Sequence, residues 1–328
     1  MGVIVLIISG GMIFVLFAMG AISRLINRKW LMKPSDEGKF VDCNGKRMFY
    51  RVKGKGDPSV VIINTYGSSS IEWWSVQNEL DMHARIISFE RPGYGWSPGS
   101  ASGKASGVSQ QIDLILKFER IKKPVILVAN GFASVYARHY ACTRPQNVAG
   151  VVLVNPVPVD YKHWSSSLSE FEEYKPPEKK ASSRMKLART GFYRVISPFK
   201  RYSQHMKYGH NLFEFYNSTS TYSTMLSELS SIHESLDEIR NADAFPNIPL
   251  KILFSGDESL IREWSRYGVP EYTARQICRQ YRILSLDNLY LSKKAESIEI
   301  EGGGELIHLG KPHDVATHIN NMIKSIHH

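Results

Sequence analysis

The stretch PVILVANGFASVYARHYA, residues 124–141, contains a strand pattern and a helix pattern with almost no loop between them. Residues 125–128 are apolar, largely β-branched and preceded by a proline, which predicts a buried strand. Residues 135–141 place apolar and small side chains at helical spacing. The residues between them predict a tight strand-to-helix turn centred on Gly131. Glycine suits such a turn because it adopts a positive φ at little energetic cost.

The rest of the chain alternates between the same two patterns. Residues 40–52 alternate in polarity around Asn44-Gly45, a dipeptide that strongly predicts a tight β-hairpin. Because helix-like segments separate most of the apolar runs, we predict an α/β fold, with a mostly parallel sheet and helices on both faces. Further buried strands are predicted at 60–64, 84–90, 149–155, 250–254 and 297–300, and helices at 71–81, 108–120 and 312–326.

The alternation stops after residue 155. Residues 156–245 are rich in aromatic and basic side chains and contain helix-like pieces, but no clear buried strand. We therefore predict that they form a helical cap inserted over the sheet. The α/β core is then discontinuous and consists of residues 38–155 and 246–328.

An uncharged apolar segment lies near the amino terminus, at residues 3–22. Its length matches what a helix needs to cross a bilayer, and Trp30 follows at a plausible interfacial position. A cleaved signal peptide is the alternative, but it lacks a preceding basic region, and the following SRLINRKW is a poor cleavage site. We predict a single-pass anchor in membrane lipid over residues 1–33. The excess of basic residues after the apolar segment predicts a cytoplasmic large domain; these residues are Arg24, Arg28, Lys29 and Lys33.

The composition argues against several function classes. The net charge is +10, but the basic residues are spread along the chain without a nucleic-acid recognition motif, so we predict no nucleic-acid binding. Basic residues beside an apolar segment favour contact with anionic lipid instead. Cys43, Cys142 and Cys278 are far apart and odd in number, which is typical of free thiols. The sequence predicts neither a metal nor a cofactor.

The most specific motif is ERPGYGWS, residues 90–97. It resembles the D-R-x-G-x-G-x-S loop of the α/β-hydrolase superfamily, in its cap-bearing esterase and lipase-like branch. Tyr66-Gly67 stands where that family has His-Gly, and GGGELIHLGKP at residues 302–312 resembles its G-x-G-H-x-x-H-L-x-x-P segment. The resemblance extends from about residue 40 to the carboxyl end and implies the same fold.

The resemblance also implies positions for a Ser–His–acid triad, and two of them hold other residues. Gly131 stands at the position of the nucleophilic serine, where ANGFA replaces G-x-S-x-G. Glu305 stands at the position of the histidine. Asp257 lies near the position of the acid, but about two residues early. We therefore predict that the catalytic triad is not intact.

The remaining motif residues imply a binding pocket. We predict that the protein binds an apolar small molecule, or a protein partner at the cap. The alternative is a hydrolase of ester or acyl substrates that uses residues not identified from the sequence. The resemblance implies that the pocket and oxyanion region are formed by Tyr66, Gly67, Trp73, Trp74, Phe132 and His308. For His308, the interpretation as a packing residue is favoured.

Overall fold

A mostly parallel β-sheet forms the centre of the computed structural model, which describes residues 2–43, 45–80, 84–100, 103–197, 199, 206–266 and 268–327. Within these residues the sheet has eight strands in the order β1-β2-β4-β3-β5-β6-β7-β8. The pairs β1–β2 and β2–β4 are antiparallel and the others are parallel, so the predicted α/β fold is confirmed. The strands are β1 (Lys39–Cys43), β2 (Lys46–Lys53), β3 (Val60–Ile63), β4 (Ile86–Phe89), β5 (Val125–Asn130), β6 (Val148–Val154), β7 (Leu250–Ser255) and β8 (Ala295–Ile300).

Helices cover both faces of the sheet because its strands are apolar on both faces. Along β3, Val61 and Ile63 face one layer of helices, while Val60 and Ile62 face the other. The first layer contains α3 (Ala105–Phe118) and α4 (Ala133–Thr143), and the second contains α2 (Trp74–Leu80) and α14 (Pro312–His327).

The amino-terminal hairpin forms as predicted. Cys43 pairs with Lys46, so only residues 44 and 45 join β1 to β2. Gly45 has a φ of 77°, the left-handed conformation that such a turn requires. Asn44 lies outside the described residues.

Every regular element described between β6 and β7 is a helix. We call residues 156–245 the cap. The cap follows the end of β6 directly, so it begins at the carboxyl ends of the parallel strands. It lies there beside the strand-to-helix turn at Gly131, which we call the elbow. Its helices are α5 (Tyr161–Leu168), α6 (Pro177–Arg189), α7 (Tyr193–Ile196), α8 (Gly209–Tyr216), α9 (Thr219–Ser230) and α10 (Ile232–Arg240); α11 (Asp257–Arg266), α12 (Glu271–Ser285) and α13 (Ile307–Gly310) come after β7.

The first helix, α1 (Gly2–Met32), extends well beyond the predicted apolar segment. Its part Ser9–Met32 is long and apolar enough to cross a membrane, by length and composition. The carboxyl-terminal half of α1 packs on the cap and core. Trp30 is buried, with its ring centroid 5.0 Å from that of Trp96.

Candidate functional site

The turn after β5 has the backbone of a nucleophile elbow without a nucleophile. Gly131 has a φ of 54°, and its N–H donates to the Val154 carbonyl on β6 at 3.1 Å. A Cβ atom added at this position would lie 3.1 Å from the hydroxyl oxygen of Thr65. A side chain here therefore needs both a strained backbone conformation and a displacement of Thr65.

Backbone N–H groups around the elbow are engaged within the protein. In α/β-hydrolases, the N–H after the nucleophile and one from the loop after the third strand bind the oxyanion. Here the Phe132 N–H donates to the Thr65 hydroxyl at 3.1 Å. In the loop after β3, the Gly67 N–H donates to the Tyr94 hydroxyl at 2.8 Å. Thr65, which the sequence did not single out, thus engages a donor that a substrate oxyanion would require.

Glu305, at the position of the catalytic base, lies in the loop before α13. The Glu263 carboxylate accepts its N–H at 2.7 Å, and the Asn155 amide donates to its carbonyl at 3.0 Å. The residue keeps an exposed surface, yet the surrounding protein raises the pKa of its carboxyl, as does the charge of Glu263. Lys180 and Arg184 of the cap oppose this shift. Glu305 is therefore an acidic group under the positive charge of α6.

Asp257, the predicted acid, is engaged by Arg282. Asp257 begins α11, and Arg282 on α12 donates to its carboxylate from Nη2 at 2.9 Å and from Nε at 3.2 Å. The same guanidinium also reaches Glu299 on β8, at 3.1 Å. Asp257 thus joins α11 to α12 and β8.

Two of the residues predicted to line the pocket, Tyr66 and Phe132, lie in contact beside the elbow. The rings of Tyr66 and Phe132 have centroids 5.7 Å apart, and Tyr161 of the cap packs on Phe132 at 5.2 Å. Burial raises the pKa of the Tyr66 hydroxyl, and so do the neighbouring Tyr161, Tyr174 and Glu305. The structure therefore brings Tyr66, Phe132 and Glu305 into one region.

The two tryptophans occupy different places from those predicted. Neither Trp73 nor Trp74 has exposed surface. Trp73 packs with the layer formed by α2 and α14, whereas the Trp74 ring lies against Phe49 and Trp96. The short 3₁₀ turn Ser70–Trp73 leads directly into α2, and it directs both large apolar rings into the interior. This corrects the predicted pocket lining.

His308 is also buried, in a structural cluster. Its ring stacks on Trp73 with centroids 4.3 Å apart, and its Nε2 lies 3.0 Å from a carboxylate oxygen of Glu72. The other carboxylate oxygen of Glu72 accepts a hydrogen bond from Tyr216 of α8. Glu72 also forms a capping box with Ser69. A local pattern of this kind does not reveal the partners of Glu72 elsewhere in the chain. His308 is therefore a packing residue of the buried interior.

Other buried serine and histidine side chains do not form a catalytic set. The Ser109 hydroxyl lies 2.9 Å from Nδ1 of His139, but Ser109 has no exposed surface and no substrate reaches it. Ser134 is also fully buried and accepts the Val157 N–H at 3.3 Å. Across the described part of the chain, no group of three or more His, Cys, Asp and Glu side chains is placed to hold a metal ion.

The motif loop at residues 90–97 connects the core to the cap. Arg91 donates to both carboxylate oxygens of Glu228 on α9, at 2.6 Å and 2.8 Å, and both side chains are buried. The Tyr94 hydroxyl also donates to Glu228, at 2.6 Å. Arg91 further donates to the Thr65 carbonyl at 3.0 Å. One guanidinium therefore links the cap to the loop that covers the elbow.

Glu90 is a second buried acidic group in this loop. One of its carboxylate oxygens accepts from the Ser70 hydroxyl at 2.9 Å and from the Ser70 N–H at 3.1 Å, and Ser69 donates to the same atom. Burial raises the pKa of Glu90 to about 7, although these hydrogen bonds and the charge of Arg91 oppose the shift. The interior beneath the loop thus contains a carboxyl that titrates near neutral pH.

Known proteins with related sequences or structures share this architecture. Residues 60–318 match the model of the alpha/beta hydrolase family. The uncharacterized protein YqjL of Bacillus subtilis is 27% identical over 106 residues, which are 32% of this chain and 42% of that protein. The pimeloyl-(acyl-carrier protein) methyl ester esterase of Yersinia enterocolitica is 23% identical over 118 residues, 36% of this chain and 44% of the esterase. These alignments span less than half of each curated relative.

Solved structures extend the similarity to most of the chain. A laboratory-evolved variant of potato epoxide hydrolase superposes with a TM-score of 0.64 at 16% identity, and the match covers 88% of this chain and 99% of that one. At this identity the similarity shows the fold alone.

Proposed function

We propose that this chain, which belongs to the alpha/beta hydrolase family, is a membrane-anchored member that lacks serine-hydrolase activity and binds a ligand or partner beside its elbow. Gly131 carries the proposal, because a residue without a side chain supplies no nucleophile at the elbow. Glu305 replaces the base that would take the nucleophile's proton. Losing both groups leaves only the modest rate acceleration that binding and the oxyanion donors provide.

The hydrogen bond between the Phe132 N–H and Thr65 supports the same proposal. At 3.1 Å, the Thr65 hydroxyl satisfies a donor that stabilises the developing oxyanion in active members of the family. A substrate carbonyl would have to displace Thr65 to reach this N–H.

The side chains beside the elbow favour an apolar or acyl-like ligand. Tyr66 and Tyr161 keep partly exposed aromatic surface beside the buried Phe132. Glu305 adds one acidic group under Lys180, which suits a ligand with a hydrogen-bond donor at one end. To test this, molecules that copurify with the full-length protein would be extracted and their masses measured by mass spectrometry. We expect Phe132→Ala to lose them and Phe118→Ala, on an exposed side chain, to retain them.

The absence of hydrolysis is tested with the full-length protein in detergent. A covalent serine-hydrolase probe and short- and medium-chain acyl esters would be supplied. We expect no more probe labelling than in a heat-denatured sample, and ester turnover equal to that of buffer. Labelling of any serine in the folded protein contradicts the proposal.

A gain-of-function variant tests the placement of the elbow. We expect Gly131→Ser with Glu305→His and Thr65→Gly to become labelled at position 131, because it has a nucleophile, a base and a free Phe132 N–H. The matched control keeps Thr65, whose hydroxyl oxygen would lie 3.1 Å from the new Cβ. Equal labelling of both variants would show that Thr65 does not block the site.

The alternative is a hydrolase of ester or acyl substrates. The similarity to the methyl ester esterase of Yersinia enterocolitica favours this alternative. Robust labelling of the unmodified protein would support it, and the labelled peptide would identify the nucleophile.

The proposed anchor is α1, with the large domain in the cytoplasm. The 24-residue stretch Ser9–Met32, long and apolar enough to span a bilayer, supports the anchor. The basic residues after its apolar segment support the orientation. A cysteine at the exposed Tyr290, in a Cys43→Ser background, would be treated with a membrane-impermeant maleimide. We expect labelling only after the cells are permeabilised, and labelling of intact cells contradicts the orientation.

A further inference from the structure

The candidate membrane helix is joined to the cap at a close backbone contact. A Cβ atom added at Gly20 would lie 2.7 Å from the Arg189 carbonyl oxygen, and one added at Gly191 would collide with the Met19 backbone. Two glycines thus allow α1 and the end of α6 to touch. The position of the cap along α1 is therefore defined near residues 19 and 20.

Polar contacts continue from this crossing along one face of α1. Arg194 on α7 donates to the Ser23 hydroxyl at 2.9 Å and forms two hydrogen bonds with Glu214 of α8, at 2.7 Å and 2.6 Å. One turn further, the Asn27 amide donates to Glu214 at 2.9 Å. Gly20, Ser23 and Asn27 recur at helical spacing, so α7 lies beside the turn of α1 that follows Gly20.

The position of this contact limits how far the cap stands from a bilayer. The uncharged apolar segment at residues 3–22 is about as long as a helix needs to cross the hydrocarbon core, which is about 30 Å thick, and Arg24 comes after it. A helix that spans the core with this segment therefore leaves the lipid near residue 22. Because α7 flanks α1 at Ser23, α7 then lies at the bilayer surface.

The surface at this level is apolar. Six hydrophobic side chains of α1 and the α7 region are at least about two-fifths exposed, and burying such side chains in lipid would stabilise the protein at the bilayer. We call this set the apolar collar. It consists of Ile22 (57%), Leu25 (62%), Ile26 (39%), Phe192 (39%), Val195 (57%) and Ile196 (50%).

Exposed basic side chains accompany the apolar collar. Arg24 and Arg28 lie on the same turns of α1, and Lys186 and Arg189 end α6 just before Phe192. Apolar side chains beside Lys and Arg are typical of segments that lie in the interface of anionic bilayers.

We propose that the apolar collar inserts into the interfacial region of an anionic bilayer, so that the cap contacts lipid directly in addition to the helical anchor. The inference rests on the proposed anchoring by α1. It identifies Phe192, Val195 and Ile196 as lipid-contacting residues of the cap. The cap and the elbow region beneath it are then held close to the lipid phase.

Three full-length variants, each with one accessible cysteine for labelling, test the apolar collar. In a Cys43→Ser background, cysteines at Phe14, Val195 and Tyr290 would carry an environment-sensitive fluorophore; these side chains are 73%, 57% and 88% exposed. The protein would be placed in vesicles of phosphatidylcholine and phosphatidylglycerol containing shallow or deep lipid-borne quenchers. We expect the deep quencher to act on position 14, and the shallow quencher to act on position 195 at least about two-fold more strongly than on position 290.

The labels separate failure of the collar from failure of the anchor. Absence of deep quenching at position 14 would remove the anchor. Deep quenching at position 14 with equal weak quenching at positions 195 and 290 would overturn the collar alone. Protection of position 195 from aqueous iodide without quenching by lipid would assign the surface to a second copy or another protein, and would also overturn it.

A charge reversal tests the lipid headgroup. Lys186→Glu with Arg189→Glu should reduce shallow quenching at position 195 in anionic vesicles to the level seen in pure phosphatidylcholine. Quenching that is identical in both lipids for the unmodified protein would contradict the proposed anionic partner.

Discussion

Gly131 keeps the backbone conformation of a catalytic turn with less strain than a residue that has a side chain. Its φ of 54° is the conformation that places a nucleophile at the top of the sheet, and this conformation is strained for residues with a side chain. Without a Cβ, the turn keeps its geometry at lower cost and Thr65 approaches closely. A change that removes the nucleophile therefore relieves backbone strain.

We predict that Gly131→Ala destabilises the protein more than Gly45→Ala. Both positions have a positive φ, but a Cβ at Gly45 meets nothing within 4 Å, whereas one at Gly131 meets Thr65 at 3.1 Å. Backbone strain should lower the free energy of unfolding by about 1 kcal/mol in each variant, and the contact should add to this at Gly131. Thermal unfolding of both variants measures the difference. Equal losses would show that Thr65 adapts without cost.

Glu90 predicts a pH-dependent stability. Its pKa is raised from 4.5 to about 7 in the folded protein, so the folded state binds more protons over this interval. The free energy of unfolding therefore decreases as the pH rises from about 4.5 to about 7. We expect Glu90→Gln to stabilise by up to about 3 kcal/mol at pH 8 and to have little effect at pH 4. Thermal unfolding at both pH values tests this, and the exposed Glu170→Gln should show no such difference.

At the scale of elements, a few buried polar contacts determine where the cap sits. The ion pair of Arg91 with Glu228 joins the motif loop to α9, and Tyr216 joins α8 to Glu72 beside the core. A buried pair of this kind contributes modestly to net stability, but removal of one partner leaves the other group buried without a hydrogen-bond partner. They therefore specify one docking of the cap over the elbow.

We predict that Glu228→Ala destabilises the docking of the cap by about 3–5 kcal/mol, because the guanidinium of Arg91 is left buried without its partner. Limited proteolysis between β6 and β7, together with thermal unfolding, measures the effect. Glu234→Ala is the matched control, since its pair with Lys104 is about half exposed and such surface pairs contribute little to stability. Comparable losses in the two variants would contradict a special role for Glu228.

At the scale of the whole molecule, α1 is part of the folded body as well as a candidate anchor. Ser23 and Asn27 bind cap residues, and the Trp96 indole donates to the Trp30 carbonyl at 3.2 Å. In the proposed membrane-anchored protein, these contacts make α1 determine the orientation of the cap relative to the bilayer.

We predict that Gly20→Leu separates α1 from the cap, whereas Gly10→Leu does not. A Cβ at Gly20 would lie 2.7 Å from a backbone carbonyl oxygen, which cannot move aside as a flexible side chain does, while a Cβ at Gly10 meets nothing within 4 Å. Gly20→Leu should therefore lower the unfolding temperature and increase cleavage near Arg194. A Gly20→Leu protein as resistant to protease as Gly10→Leu would contradict the docking.

The sequence by itself determined the α/β sheet, the hairpin, the tight turn at Gly131 and the apolar amino-terminal helix. Strand and helix periodicities are local properties, and the conformational freedom of glycine is a property of a single residue. The motif loop at residues 90–97 likewise indicated the family from local sequence. These features follow from neighbouring residues alone.

Only the tertiary structure decided which side chains meet. Thr65 binds the Phe132 N–H across 67 residues, Arg91 reaches Glu228 across 137, and Asn27 reaches Glu214 across 187. The burial of Trp73 and Trp74 instead of their exposure in a pocket was decided in the same way. A hydrogen bond requires packing to place the donor and the acceptor to within a few tenths of an ångström. Local sequence patterns contain no information at that precision.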